Sequence, residues 1–262
     1  MSLRDRFDLV VLDWAGTMVD FGCEAPVKAL ITAFAEEGVT IDAAAARRDM
    51  GKSKADHVRG LLEIPRVAAA WHAARGRPAA DSDVESLMQR LGPLMRERAT
   101  EAATLIPGAR ETVAQLRALG FKIASSTGYT REMMAPVLAR AAAQGYVPDH
   151  VICSGETPAG RPTPLMIYKA CAELGIWPLS RVVKVDDAEA GIEEGRAAGA
   201  FTVGVASGNT VGLSLNEWHA LTADQRAAHV QTADRVLRAA GADLVIESIA
   251  DLIAALERQG SV

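Results

Sequence analysis

The run Leu9-Val10-Val11-Leu12 ends in Asp13, and Trp14-Ala15-Gly16-Thr17 come next. A carboxylate carried out of an apolar run into a turn is able to attack phosphorus, forming an aspartyl-phosphate that divides one difficult transfer into two easier ones. Gly16 permits a tight turn, and Thr17 is suited to capping the segment after it. On these residues alone, a strand-ending Asp that caps a helix explains the pattern equally well. Three further elements bear on the choice. Ser125-Ser126-Thr127-Gly128 would set a hydroxyl and backbone N–H groups where phosphoryl oxygens lie; alone it reads as an ordinary helix cap. Arg161, just before Pro162, is a cation able to pair with phosphoryl oxygens, or else a solvated loop residue. Asp186-Asp187 end the run Val182-Val183-Lys184-Val185. Adjacent acids there suit a hard, oxygen-loving cation, or again a cap. Because side chains alternate across a strand, only one of the two is expected to reach a metal directly.

A second cluster is Met50-Gly51-Lys52-Ser53-Lys54-Ala55-Asp56-His57. Ser53 with Asp56 three residues on reads as the start of a helix, which puts Lys54 at the first helical position and His57 one turn on along the same face. The positive end of the helix dipole disfavours an ammonium ion there. A solvated surface lysine is the default for any single Lys; the neighbouring His57 and Gly51, which allows close approach, argue against it.

The elements that must position these residues are read from the rest of the chain. Its 262 residues suffice for one full domain plus a smaller one. Short β-rich runs (Asp8–Asp13, Phe121–Ser126, His150–Cys153, Val182–Asp186, Phe201–Val205 and Leu244–Ile246) alternate with helical patterns such as Ala109–Leu119, Arg131–Ala143, Met166–Leu174 and Glu189–Ala198. This order predicts an α/β fold, a Rossmann-like parallel sheet covered on both faces. Ligands of such sheets bind beyond the carboxyl ends of the strands, where Asp13, Thr127 and Asp186-Asp187 are expected. Residues 22–103 break the alternation with helical patterns and no convincing strand, predicting an inserted all-helical cap domain on a core made of 1–21 and 104–262. The irregular stretch from Ser207 to Asp224 reads as turns rather than as part of a site.

Composition excludes several classes. The net charge of −5 and the lack of a basic stripe argue against nucleic acid as a partner. No apolar run approaches membrane-spanning length, so no membrane association is expected. Cys23, Cys153 and Cys171 lack CxxC spacing, which argues against a disulfide framework or a zinc site. The opening MSLRDRFDLV lacks the apolar stretch of a secretion signal, and a cytoplasmic location is the expectation.

In order and context, the Asp13, Thr127, Arg161 and Asp187 elements resemble the haloacid dehalogenase superfamily of phosphoryl-transfer enzymes over nearly the whole chain. The usual phosphatase pattern there is D-x-D-G-T, whose second Asp protonates the leaving oxygen and later activates water. Here that position is Ala15. The pair D-W-A-G-T and M-G-K-S-K-A-D-H is similar to the phosphonatases (phosphonoacetaldehyde hydrolases) of that superfamily, whose pattern has Ala after the nucleophile and a Schiff-base lysine in a helical cap. The resemblance implies a small-molecule phosphonate substrate, Asp13 as nucleophile and Lys54 as the amine that condenses with an aldehyde. It implies magnesium (Mg2+) bound by Asp13, the Ala15 carbonyl and Asp187, with Asp186 behind them. Thr127, Gly128 and Arg161 would bind substrate, with Cys23, Met50, Gly51 and His57 supporting the lysine, in a homodimer formed through the cap. Many members carry a further acid four residues after the metal-binding Asp; this chain has Gly191. A phosphate-ester phosphatase or mutase, and a catalytically silent binding module, are the alternatives.

Overall fold

The structure, a computed structural model, describes residues 2–259. Six strands, β1 (Leu9–Leu12), β2 (Lys122–Thr130), β3 (His150–Ser154), β4 (Val182–Asp186), β5 (Phe201–Val205) and β6 (Leu244–Ile246), form one sheet in the order β3-β2-β1-β4-β5-β6. Every pairing is parallel, as the α/β reading requires. The chain leaves β1 toward β2 on one side and reaches β4 on the other, so the crevice at the carboxyl end of β1 is the switch point where such sheets bind ligands.

Both faces are covered, which is why the strands read as unbroken apolar runs. Val10 and Leu12 join one core cluster while Leu9 and Val11 join another on the opposite face. The first cluster includes residues of α1 (Leu3–Arg6), α7 (Ala109–Ala118), α8 (Arg131–Ala143) and α13 (Leu252–Gln259). The second lies under α9 (Leu165–Leu174), with Met166, Ile167, Ala170 and Cys171 buried there. A third cluster joins Ile192 of α10 (Glu189–Ala198) to Ala233 and Leu237 of α12 (Ala223–Ala240).

Between β1 and β2 the described elements are all helices: α2 (Glu24–Glu36), α3 (Ala43–Arg47), α4 (Lys54–Leu62), α5 (Pro65–Arg75) and α6 (Asp81–Ala102). Their buried faces share one continuous apolar cluster with the sheet, through residues such as Phe34, Leu61, Trp71 and Leu91. Helix α6 packs on α2 and also on α8. Among the described residues, no helix is long and apolar enough to cross a membrane.

Two local expectations need correction. Strand β2 does not stop at Ser126 but runs to Thr130, with a register irregularity against β3 between Thr127 and Thr130. The stretch after Ser207 holds a short helix, α11 (Leu215–Ala220), before α12 begins at Ala223.

Candidate active site

Strand register assembles the site. Leu12 pairs with Ser125 on one side and with Val185 on the other, so Asp13 emerges level with Ser126 and Asp186. The Asp13 N–H is held by the Val185 carbonyl at 3.0 Å. Two-residue alternation sets Val11, Asp13, Ala124, Ser126, Lys184 and Asp186 on one face of the sheet. There they form a buried network closed by Arg161 and by Glu194 of α10. Arg161 reaches Asp13 Oδ1 at 2.8 Å and Asp186 Oδ2 at 3.3 Å, and its Nε donates to Glu194 Oε2 at 2.9 Å. Its Nη2 donates to the Ser126 carbonyl at 2.6 Å and to Ser126 Oγ at 2.9 Å. Lys184 Nζ lies 2.9 Å from both Ser126 Oγ and Asp186 Oδ2. Burial works against the Arg161 charge but is outweighed by Asp186, Asp13 and Glu194, so its pKa is raised.

Asp187 lies just past the end of β4, where alternation no longer governs direction. One oxygen each of Asp13, Asp186 and Asp187 lie within 4.8 Å of one another. The expectation that only one of the adjacent acids faces the site is therefore corrected: both do, but with different partners. Asp186 has two cations at ion-pair distance and accepts the Ala188 N–H at 3.0 Å. Among the described residues, Asp187 accepts only from Thr17 Oγ1 at 2.8 Å and from the Asn209 N–H at 2.7 Å. Burial, then repulsion from Asp13 and Asp186, pushes the Asp187 carboxyl well above the usual range. Asp13 is pushed up to about 6, by burial first and then by Asp186. Buried carboxylates facing one another, one of them with no cation among the described residues, are a donor set that fits a hard divalent ion.

Glycines make the close packing possible. Gly16 has φ +89°, and a Cβ there would lie 2.0 Å from Asp187 Oδ2. At Gly191, the place of the extra acid in many members of the superfamily, a Cβ would lie 1.9 Å from Asp186 Oδ2. The Asp186 carboxylate fills the space that a side chain at 191 would need.

From the helical side, Ser53 caps α4 by accepting the Asp56 N–H at 3.1 Å, and Lys54 is its first residue. Lys54 is only 2% exposed. Its Nζ is 3.9 Å from Met50 Sδ and 5.2 Å above the centre of the Tyr129 ring. Burial lowers its pKa to about 8, although Cys23 and Asp13 oppose the change. The shift corresponds to roughly 3 kcal/mol, against the ~0.3–1 kcal/mol of an exposed helix N-terminus, so desolvation decides it. His57 is buried and pushed down to about 3, by desolvation first and then by Lys54. Neither of its ring nitrogens makes a well-formed hydrogen bond, and a nearby backbone group of Ala46 opposes the shift only weakly. The Cys23 thiol is likewise held protonated by burial.

Asp13, Ala15, Cys23, Met50, Gly51, Lys54, Thr127, Gly128, Arg161 and Asp187 line one cavity of ≈ 20 Å³, with Tyr129 and Ala188 completing it. That is room for about one water molecule. His57 is the one expected site residue outside this lining. A wider groove of ≈ 550 Å³ beside Arg59, His72 and Asp81 contains none of the site residues. Sequence reasoning missed Lys184, Glu194, Tyr129 and Asn209. A lysine inside an apolar strand run was a readable signal; the other three become visible only through their contacts.

The sequence profile of the haloacid dehalogenase-like hydrolases matches residues 7–199. A phosphonoacetaldehyde hydrolase from Paraburkholderia phytofirmans is 43% identical, the match covering 93% of this chain and 92% of that protein. One from Bacillus thuringiensis is 38% identical, covering 97% and 96%. The crystal structure of a phosphonoacetaldehyde hydrolase-like protein from Oleispira antarctica superposes with a TM-score of 0.94 at 39% identity, covering 97% of this chain and 92% of that one. A hydrolase from Pseudomonas syringae, 18% identical with a TM-score of 0.72 and covering 97% of this chain and 99% of that one, shares the fold.

Proposed function

We propose a reaction for a chain that belongs to the phosphonoacetaldehyde hydrolase family of the haloacid dehalogenase-like hydrolases: phosphonoacetaldehyde and water give acetaldehyde and phosphate. The observation that carries this reading is the buried Lys54 amine sharing one cavity with Asp13, Arg161 and Asp187. With a pKa of about 8, about a tenth of the amine is neutral at pH 7, against about one in three thousand at the ordinary value.

The neutral amine condenses with the substrate aldehyde, releasing water, and the imine takes up one proton from solvent to become an iminium one carbon away from phosphorus. Asp13 then attacks phosphorus, and the electrons of the carbon–phosphorus bond pass into the iminium to give an enamine. Arg161, already 2.8 Å from Asp13, pairs with the phosphoryl oxygens, and Thr127 and Gly128 border them. Water hydrolyses the aspartyl-phosphate. Protonation and hydrolysis of the enamine release acetaldehyde and free Lys54. The iminium thus takes the part that a general acid plays for an alkoxide, which accounts for Ala15. Burial keeps His57 neutral, so it supports the packing of α4 rather than acting as a strong base.

Magnesium, held by Asp13, Asp187 and the Ala15 carbonyl, supplies charge neutralisation for the phosphoryl group when bound. Residues 22–103 act as the cap on a core of 1–21 and 104–262, and a homodimer through that cap belongs to the same family reading. The reaction is tested by product analysis: equimolar acetaldehyde and phosphate from phosphonoacetaldehyde are expected. Phosphate release from simple phosphate esters in place of that turnover supports the phosphatase reading instead.

A further inference from the structure

The segment that carries Lys54 is tied to the core at a second point, which the chemistry above does not use. Arg47 is the last residue of α3 and lies seven positions before Lys54. It is half-buried, and among the described residues every group that its guanidinium reaches is a neutral oxygen. Nη1 donates to the Gly22 carbonyl at 2.8 Å and sits 3.4 Å from both the carbonyl and the Oδ1 of Asn209, with the Cys23 carbonyl at 3.5 Å. Nη2 donates to the Gly212 carbonyl at 3.2 Å. Asn209 answers with a bond from Nδ2 to the Arg47 carbonyl at 3.4 Å. The loop is shaped to this cation: a Cβ on Gly212 would come within 2.7 Å of Arg47 Cζ.

The same Asn209 donates its backbone N–H to Asp187 Oδ2 at 2.7 Å. One side chain therefore joins the linker into the helical insert, the insert itself and the loop that orients Asp187. We propose that Arg47 is a positioning residue, coupling the seating of the Lys54-bearing segment to the orientation of Asp187 through Asn209. This rests on the reading of Lys54 as the reacting amine and Asp187 as a metal ligand. A planar guanidinium is required because its fork reaches acceptors from separate segments at once, which a lysine ammonium does not reproduce. With the fork removed, the loop keeps its bond to Asp187 but loses its anchor on the insert, and the two halves of the site are set independently.

The test measures Mg2+ binding by calorimetry and backbone hydrogen exchange for the parent, Arg47→Ala, Arg47→Lys, Asn209→Ala and the Arg47→Ala/Asn209→Ala double variant. Arg47→Ala and Asn209→Ala should each weaken Mg2+ binding roughly tenfold, the lower end for groups that support metal ligands. The double variant should be no worse than the worse single, because the shared contact is lost only once. Exchange should rise together in residues 20–23 and 207–213. Arg47→Lys should fall between parent and Arg47→Ala. Unchanged affinity with unchanged exchange in the loop, or fully additive losses, overturns the proposal. If Arg47→Ala does not fold, Arg47→Lys and Asn209→Ala make the same comparison, and parent-like behaviour in both overturns it. Coupled Mg2+ losses in the variants, with no cleavage of phosphonoacetaldehyde by the parent, support the coupling while the reaction reading fails.

Discussion

Gly128→Ala is a one-methyl change that acts on the distance between the two halves of the site. Gly128 lies on β2 beside Thr127, and an added Cβ would sit 2.3 Å from the Lys52 carbonyl oxygen and 2.8 Å from that of Gly51. These are backbone atoms, so no side chain can swing aside to relieve the overlap. Moving the nearer contact from 2.3 Å to the 3.4 Å of ordinary packing requires the Gly51–Lys52 segment to retreat by about 1 Å. Lys54 lies two residues later and retreats with it. A misplacement of about 1 Å between reacting groups costs about a hundredfold in rate. The same opening admits water to the amine and lets its pKa climb from about 8 toward the ordinary 10.5; each unit of that climb removes about nine-tenths of the neutral amine at pH 7. The expected loss in kcat/KM is therefore about a hundredfold at pH 9 and larger at pH 7. Acetaldehyde release, coupled to an NADH-dependent reductase, measures both values, and a melting curve checks that the variant is folded. A folded Gly128→Ala enzyme within about threefold of the parent at pH 7 would refute the reasoning.

The same geometry has other consequences. Lys54 must be neutral to condense, and its pKa of about 8 makes kcat/KM rise with pH up to about pH 8. A profile that falls between pH 6 and pH 8 contradicts this assignment. Asp187→Asn should abolish tight Mg2+ binding in calorimetry and leave the metal-free protein no less stable, since it removes a repulsive buried charge. Asp186→Asn should lower the melting temperature more, because it strips a partner from buried Arg161 and Lys184. The reverse ranking on both readouts would exchange their roles. Ala15→Asp adds a carboxylate beside Asp13 and should slow carbon–phosphorus cleavage while conferring at most slight phosphate-ester hydrolysis. Faster cleavage than in the parent would undo the explanation of Ala15.

The parallel sheet was legible because both-face burial leaves continuous apolar runs, and the acids at the ends of those runs fall where strand order directs ligands. Asp13, Asp187, Arg161 and Lys54 each read singly as a cap, a loop cation or a surface lysine, and became candidates through the order of the motifs that carry them. Lys54 was found through the capping sequence that begins its helix, since period and cap together fix where the first turn points. The supporting network was not legible. Glu194 looks like any helical glutamate until Arg161, 33 residues earlier, is seen bonded to it. Asn209 reads as a turn residue, and its contribution to Asp187 comes from the backbone N–H, which every residue but proline carries. Alternation failed for the Asp186-Asp187 pair because it was applied across the end of β4, where the chain turns and brings Asp187 beside Asp13 as well.

Covalent trapping at Lys54 is the measurement that bears most directly on the central claim. Borohydride added with phosphonoacetaldehyde, or with acetaldehyde, reduces any imine to a stable secondary amine, which peptide mass spectrometry locates. The account predicts irreversible inactivation with the adduct on Lys54 and none on Lys52, whose ammonium instead lies 2.6 Å from Asp49 Oδ1. Lys54→Arg, which keeps the charge but cannot form an imine, should abolish both labelling and turnover. Full carbon–phosphorus cleavage by Lys54→Arg, or labelling confined to Lys52, would contradict it.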